Sequence, residues 1–191
     1  MERVNTILLI GRPGSGKGTQ AKLLSERLAW ICLSSGERIK EIRDGNEPFS
    51  ARVRAVFDKG TLLPDWLADY ILESGLLELE PYVGVITEGF ARTKQQAQHF
   101  ADIIKWLGRE LVVINLEVSE EEVTRRMISR STVQDRPDSN SEEKIRARLN
   151  QFAEETLPAL EYLRGLGLVK DIDGEQTPAQ IAEDIEKLLS V

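Results

Sequence analysis

A lysine set among closely spaced glycines, Gly11-Arg12-Pro13-Gly14-Ser15-Gly16-Lys17-Gly18-Thr19-Gln20, carries the clearest chemical meaning in this chain. Glycines at 11, 14, 16 and 18 allow the backbone to curl tightly with its N–H groups turned inward, which makes a cradle for phosphate oxygens. Lys17 adds a positive charge on a long stem, able to reach terminal phosphates. Gly18 stands where a serine or threonine usually follows the lysine, and Thr19, one place on, offers its hydroxyl to magnesium. Two other readings are open. Gly16 to Ala21 also fits a dinucleotide-binding fingerprint, with Glu37 at a distance to hold a ribose. That fingerprint has no use for a lysine in its turn and leaves Gly11 unexplained. A glycine-rich turn without a ligand would have no reason to carry the lysine at all.

Other groups along the chain also suit phosphate chemistry. Glu88 lies just past an apolar run, where a carboxylate suits magnesium or its waters. Arg92 and Gln96 stand four residues apart, and on a helix they would share a face. A planar donor fork beside a side-chain amide suits a phosphate and a base edge. A solvated surface pair fits the same spacing. Arg125, Arg126 and Arg130 precede the polar stretch 131–139, Arg136 lies within it, and Arg146 and Arg148 come after it. Arginines on both sides of a short loop can converge on a transferred phosphate. The neighbouring glutamates equally fit a solvated helix face.

The elements that must position these residues can be read from the apolar pattern. Short apolar runs predict strands at Thr6–Ile10, Trp30–Leu33, Val83–Thr87, Leu111–Leu116 and Leu168–Ile172. Helical patterns lie between them, one over Trp66–Leu79. Capping boxes are predicted at Ser119 with Glu122 and at Thr177 with Gln180. This alternation implies an α/β fold with a parallel central sheet of about five strands and helices on both faces, with ligands gathered at the C-terminal strand ends. The phosphate loop then sits between the first strand and the first helix, which adds its N-terminal partial charge. About fifty residues separate the second strand from the third, far more than a crossover needs, and imply a small helical insertion. Trp66 and Trp106 are read as core anchors, Cys32 as a small core residue and His99 as a helix-surface residue.

Composition bounds the rest. A chain of 191 residues forms one domain with a substantial core. Its net charge of −7 argues against a general nucleic-acid or anionic-membrane surface. No apolar run approaches a membrane span, and the N-terminus does not read as a signal peptide. The cytoplasm is the expected location. One cysteine and one histidine exclude an internal disulfide and a multi-cysteine zinc site.

Over essentially its whole length the sequence resembles the adenylate kinases, of the nucleoside monophosphate kinases. The stretch 11–21 is similar to that family's phosphate loop, glycine after lysine included. Ser34-Ser35-Gly36-Glu37 is similar to its Ser-Thr-Gly-Asp acceptor motif, and Glu88-Gly89-Phe90-Ala91-Arg92 to Asp-Gly-Phe-Pro-Arg. Arg130 and Arg136 bracket what resembles the short form of its lid. The resemblance implies a P-loop three-layer sandwich that moves the γ-phosphoryl group of ATP to AMP with Mg2+ and no structural zinc, as a monomer. It divides the chain into a core of 1–33, 63–130 and 139–191, an insertion for the nucleoside monophosphate (NMP) over 34–62, and a lid over 131–138.

Carried over by position, the resemblance implies that Gly14, Ser15, Gly16, Lys17, Gly18 and Thr19 hold the donor phosphates and that Arg126 stacks on the donor base. Ser35, Gly36, Lys40, Arg92 and Gln96 would receive AMP. Lys17, Arg92, Arg130, Arg136 and Arg148 would surround the transferred group, and Thr19 and Glu88 would hold magnesium through water. Four departures stand out: Lys40 in place of an arginine, Glu88 in place of aspartate, Ala91 in place of a proline that is cis in the family, and one extra residue around 138–142. A trans bond and a rebuilt turn are expected before Arg92. The departures keep two alternatives in view: a kinase for another nucleoside monophosphate such as CMP, UMP or a deoxynucleotide, and a nucleotide-binding module with little transfer.

Overall fold

The computed structural model describes residues 4–46, 48–58, 61–131 and 141–189. Its framework is a five-stranded sheet, β1 (Thr6–Gly11), β2 (Ile31–Ser34), β3 (Val85–Glu88), β4 (Leu111–Glu117) and β5 (Val169–Asp173), in the order β2-β3-β1-β4-β5. Every pairing is parallel. Each strand begins and ends within two residues of its sequence-predicted bounds. Trp30 falls just outside β2 and packs instead across Gly84, where an added Cβ would lie 2.3 Å from the indole.

Side-chain alternation along the strands divides the core into two layers. Leu8, Ile10, Val85 and Val113 face one side. They meet Leu72 and Leu76 of α4 (Asp65–Leu77), Phe100 and Ile104 of α5 (Lys94–Trp106), and Leu160 and Leu163 of a later helix. Ile7, Leu9, Ile86, Ile114 and Leu116 face the other side, against Ala21 and Leu24 of α1 (Lys17–Leu28) and Ile181 and Ile185 of α9 (Pro178–Leu189). Fully buried leucine or isoleucine side chains of this kind each contribute roughly 1.5–3 kcal/mol. The result is the three-layer α/β sandwich with a parallel sheet.

The long crossover between β2 and β3 carries α2 (Ser35–Asp44) and α3 (Ser50–Asp58) before α4. Among the described residues these helices contribute Ile42 and Val53 to the first core layer, with Ile39 packed against it. Beyond β4 come α6 (Glu120–Ser131), α7 (Glu142–Gln151), a π-helical turn (Phe152–Thr156), α8 (Leu157–Gly165), β5 and α9. A third cluster, Val118, Val123, Met127, Ile145 and Leu149, joins α6 to α7. Arg136, most of the segment 131–138 and most of the extra residue's neighbourhood lie outside the described residues.

The two expected capping boxes have different outcomes. Thr177 and Gln180 exchange hydrogen bonds in both directions at the start of α9. At α6 only half of the box forms. Glu122 donates its N–H to Ser119 Oγ, but its carboxylate accepts from Arg125 and Arg126 instead of returning to Ser119. Glu175, from the loop after β5, accepts the Ser119 N–H at 2.8 Å. Two guanidiniums within one helical turn outcompete a neutral amide for the Glu122 carboxylate.

Trp66 and Trp106 are 70 % and 80 % exposed, not core anchors. Their helices fill the core with Leu67, Ile71, Phe100 and Ile104, which lie on the opposite faces. Among the described residues no helix is long and apolar enough to cross a membrane.

Candidate functional site

Register brings the C-terminal ends of the strands to one edge: Leu9 lies beside Glu88, Ser34 beside Glu88, and Gly11 beside Leu116. The glycine-rich loop leaves β1 at this edge. Gly14, at φ 85, lies so close to α6 that a Cβ would stand 2.9 Å from the Val123 carbonyl oxygen. Gly16 takes a left-handed conformation and caps α1 with no side chain of its own to bond the first-turn amides. Lys17 turns back over the loop. Its ammonium donates to the carbonyls of Gly11 at 2.7 Å and Arg12 at 2.9 Å, and to Ser15 Oγ at 3.4 Å.

Burial pushes the Lys17 ammonium down to about 7; the Glu88 carboxylate pulls upward, and the Arg92 and Arg148 guanidiniums press further down. Lys17, Glu88, Arg92 and Arg148, predicted from four separate stretches of sequence, therefore share one electrostatic field at the loop. Thr19 and Gly18 are exposed in the first turn of α1. Arg130 is exposed in the last turn of α6, and Arg148 is half-buried on α7.

A second group forms where β2 and β3 end. Ser34 Oγ donates to Glu88 Oε1, and Ser35 Oγ to the Gly89 carbonyl at 2.8 Å. The same carbonyl accepts from Arg92 Nε at 2.7 Å. Gly89, at φ 82, has no room for a side chain, since a Cβ would lie 2.2 Å from Ser35 Oγ. Ala91 sits two residues on, in the left-handed region at φ 52, and is buried. Among the described residues every peptide bond is trans, so the turn before Arg92 is rebuilt as expected. Gly36 is the second residue of α2, and Lys40 is exposed further along it, where its charge helps to hold the Asp44 carboxyl low after the larger effect of Arg43.

Arg92 and Gln96 do not share a helix face. Arg92 precedes α5, whose N-cap is Thr93, and Gln96 is buried. Gln96 completes the cap: its N–H donates to Thr93 Oγ1, and its Oε1 accepts the Arg92 N–H at 2.9 Å. Its Nε2 donates to Asp65 Oδ1 at 2.8 Å. Sequence reasoning misses Asp65, although Pro64 followed by an acid in the first turn marks a helix start there.

It also misses the loop after β5. Arg126 Nη1 donates to the Gly174 carbonyl at 3.0 Å and reaches the Ser15 carbonyl at 3.5 Å, with its Nε on Glu122. The available signal is a glycine–acid turn at the C-terminal end of a parallel strand, where ligands gather. A cavity of about 800 Å³ lined by Val4, Trp30, Tyr82 and Leu189 lies at the opposite end of the sheet, remote from these groups.

His99 is more than a surface residue. Its Nδ1 lies 2.7 Å from Oδ2 of the buried Asp69, tying α5 to α4 one turn beyond the Gln96–Asp65 bond. The hydrogen bond to Asp69 raises the His99 pKa above its ordinary value of 6.5, against a smaller lowering from burial, with further support from the charges of Asp69, Glu73 and Asp102. A raised folded-state value means that the stabilisation is fully present below the unfolded pKa and is lost as pH rises through the folded one. Thermal melts should show the parent protein losing more on going from pH 6 to pH 8 than Asp69→Asn loses.

A parallel sheet in the order β2-β3-β1-β4-β5, with a glycine–lysine loop feeding the first helix and a carboxylate and arginines converging on that lysine, defines a phosphate-loop nucleotide kinase. The adenylate kinase family model matches residues 9–167. Adenylate kinase of Thermus thermophilus is 35 % identical over 192 residues, covering 100 % of both chains. That of Maricaulis maris is 34 % identical over 184 residues, covering 96 % of this chain and 97 % of its own. That of Bacteroides fragilis is 37 % identical over 183 residues, covering 95 % and 96 %. The chain belongs to the adenylate kinase family and is a nucleoside monophosphate kinase. Among the described residues no group of three or more His, Cys, Asp or Glu is placed to hold a metal ion.

Proposed function

We propose that the chain transfers the γ-phosphoryl group of ATP to AMP, giving two ADP, as a cytoplasmic monomer. The reading is carried by the shared field of Lys17, Glu88, Arg92 and Arg148 at the phosphate loop, and family membership supports the substrate pair. A half-buried free thiol, Cys32, pushed up to about 11 by burial with Glu88 and Glu37 adding, fits a reducing compartment.

In this reading the amides of Gly14, Ser15, Gly16, Gly18 and Thr19 and the Lys17 ammonium hold the donor phosphates, and Arg126, beside the Gly174 carbonyl, lies against the donor base. Arg92 holds the acceptor phosphate, with Ser35, Gly36 and Lys40 on its α2 side. Gln96 has a second amide hydrogen beyond the one given to Asp65, and a ring nitrogen of adenine is its partner.

An oxygen of the acceptor phosphate attacks the γ-phosphorus. The new O–P bond forms as the bond from that phosphorus to the bridging oxygen breaks, and ADP leaves. The attacking oxygen is already anionic, so no side-chain base is required. Lys17, Arg92, Arg130, Arg136 and Arg148 offset charge on the transferred group. One carboxylate and one hydroxyl beside substrate phosphates fit magnesium, which keeps most of its waters. Glu88 and Thr19 would hold it through them, and it would neutralise phosphate charge. Closure of 34–62 and 131–138 over the nucleotides would exclude water.

The decisive assay is magnesium-dependent transfer from ATP to AMP, dAMP, CMP, UMP, GMP and dTMP, with products separated. ADP formation from AMP in large preference carries the reading; preference for another acceptor, or binding without transfer, refutes it.

Lys17 also makes ATP binding depend on pH. With the empty-loop ammonium at about 7, about nine-tenths of it is neutral at pH 8. A bound triphosphate raises its pKa, so binding at pH 8 takes up close to one proton, and affinity falls as pH climbs above 7. Calorimetry in buffers of different ionisation enthalpy measures the uptake.

A further inference from the structure

The helical run beyond the segment 132–140 is not uniform. Residues Glu142–Gln151 and Leu157–Gly165 are α-helical, and Phe152–Thr156 between them is a π turn. A π turn takes one extra residue into the helix and so rotates the residues after it by about 100° relative to an uninterrupted α-helix. Arg148 and Thr156 are eight positions apart. In a plain α-helix they would point about 80° apart; with one residue absorbed the difference falls to about 20°.

Arg148, Phe152 and Thr156 therefore line one face, and each engages a different part of the site. The charge of Arg148 is felt at Lys17. The Phe152 ring lies 5.8 Å from the Arg12 guanidinium, in the phosphate loop. Thr156 Oγ1 donates to the Arg92 carbonyl at 3.1 Å, bridging 64 positions of sequence. The peptide groups of Arg92 are thus held on two sides, the N–H by Gln96 Oε1 and the carbonyl by Thr156.

We propose that Thr156, presented by the π turn, is a positioning residue: it fixes the backbone of Arg92 in register with Arg148 on the same helix, so that both guanidiniums meet the acceptor and transferred phosphates. The proposal rests on the phosphoryl-transfer reading and adds to it a residue that acts only through Arg92. A hydroxyl that holds one carbonyl by one hydrogen bond is enough, because small displacements of a phosphate-orienting group cost catalysis heavily.

Thr156→Val removes the hydroxyl at nearly constant shape, and Thr156→Ser keeps it. AMP and ATP affinities are measured separately by calorimetry, and kcat and KM in the transfer assay. Thr156→Val should weaken AMP binding and lower kcat/KM for AMP by about 10-fold while ATP affinity stays within about 2-fold, and Thr156→Ser should recover both to within about 3-fold. Parental AMP affinity and turnover in Thr156→Val would overturn the proposal. So would an equal loss of ATP affinity that serine does not restore, since that marks general structural damage. A parent protein that binds AMP without transferring phosphoryl would refute the reaction reading alone, and the AMP affinities of the two variants would still decide the role of Thr156.

Discussion

Replacing Lys17 with methionine is expected to lower phosphoryl transfer by about 10³-fold while leaving the melting temperature within about 3 °C of the parent. Methionine keeps a long unbranched stem in the loop and removes only the charge and its hydrogen bonds. The ammonium occupies the concavity of the loop, held by the Gly11 and Arg12 carbonyls, and burial pushes it down to about 7. A group so disfavoured in its charged form contributes little to the empty fold; its value appears when phosphate oxygens arrive. Steady-state rates with saturating ATP and AMP, together with thermal melts, test this. More than a tenth of parental kcat in the variant would remove Lys17 from the reaction, and a large fall in melting temperature would make it a structural residue.

The second large effect concerns the turn before Arg92. Ala91→Pro restores the residue that the family pattern carries there and is nevertheless expected to reduce turnover with AMP by about 10²-fold and to destabilise the fold by about 3 kcal/mol. Ala91 sits at φ 52, and proline is confined near −65°. The turn cannot rotate to suit it without moving neighbours that are closely engaged. Gly89 carries Ser35 and Arg92 on its carbonyl, Ala91 itself is 2 % exposed, and the Arg92 peptide is held by Gln96 and Thr156. Ala91→Gly is the contrasting variant. Glycine occupies the left-handed region freely, so relief there offsets the added freedom of the unfolded chain, and kcat should stay within about 3-fold. Urea titrations and the kinetic constants for AMP separate the two variants. A proline variant with parental stability and rate would show that the left-handed turn is dispensable.

Signals spanning a few positions are enough to specify the sheet, the phosphate loop and the family. Alternating apolar residues, turn glycines and capping hydroxyls all act at short range, so β1 to β5 are legible to within two residues and the Thr177–Gln180 box is correct in both directions. The loop at 11–19 is legible for the same reason: its glycines, its lysine and its place between strand and helix are all local.

Which side chains are engaged is settled by contacts between distant segments. Spacing alone puts Gln96 on a shared helix face with Arg92. Its position three residues after Thr93 and the arrival of Asp65 from α4 make it a buried capping residue. Glu122 has the spacing for a full box, but Arg125 and Arg126 draw its carboxylate away, and Glu175, distant in sequence, takes the vacated amide. Trp66 and Trp106 are apolar by type, yet they face outward because their helices already fill the core from the opposite side. The π turn that aligns Arg148 with Thr156 has no local mark in Phe152-Ala153-Glu154-Glu155-Thr156, a run that suits an ordinary α-helix. Local free-energy differences between such arrangements are small, and contacts between segments far apart in the chain select among them.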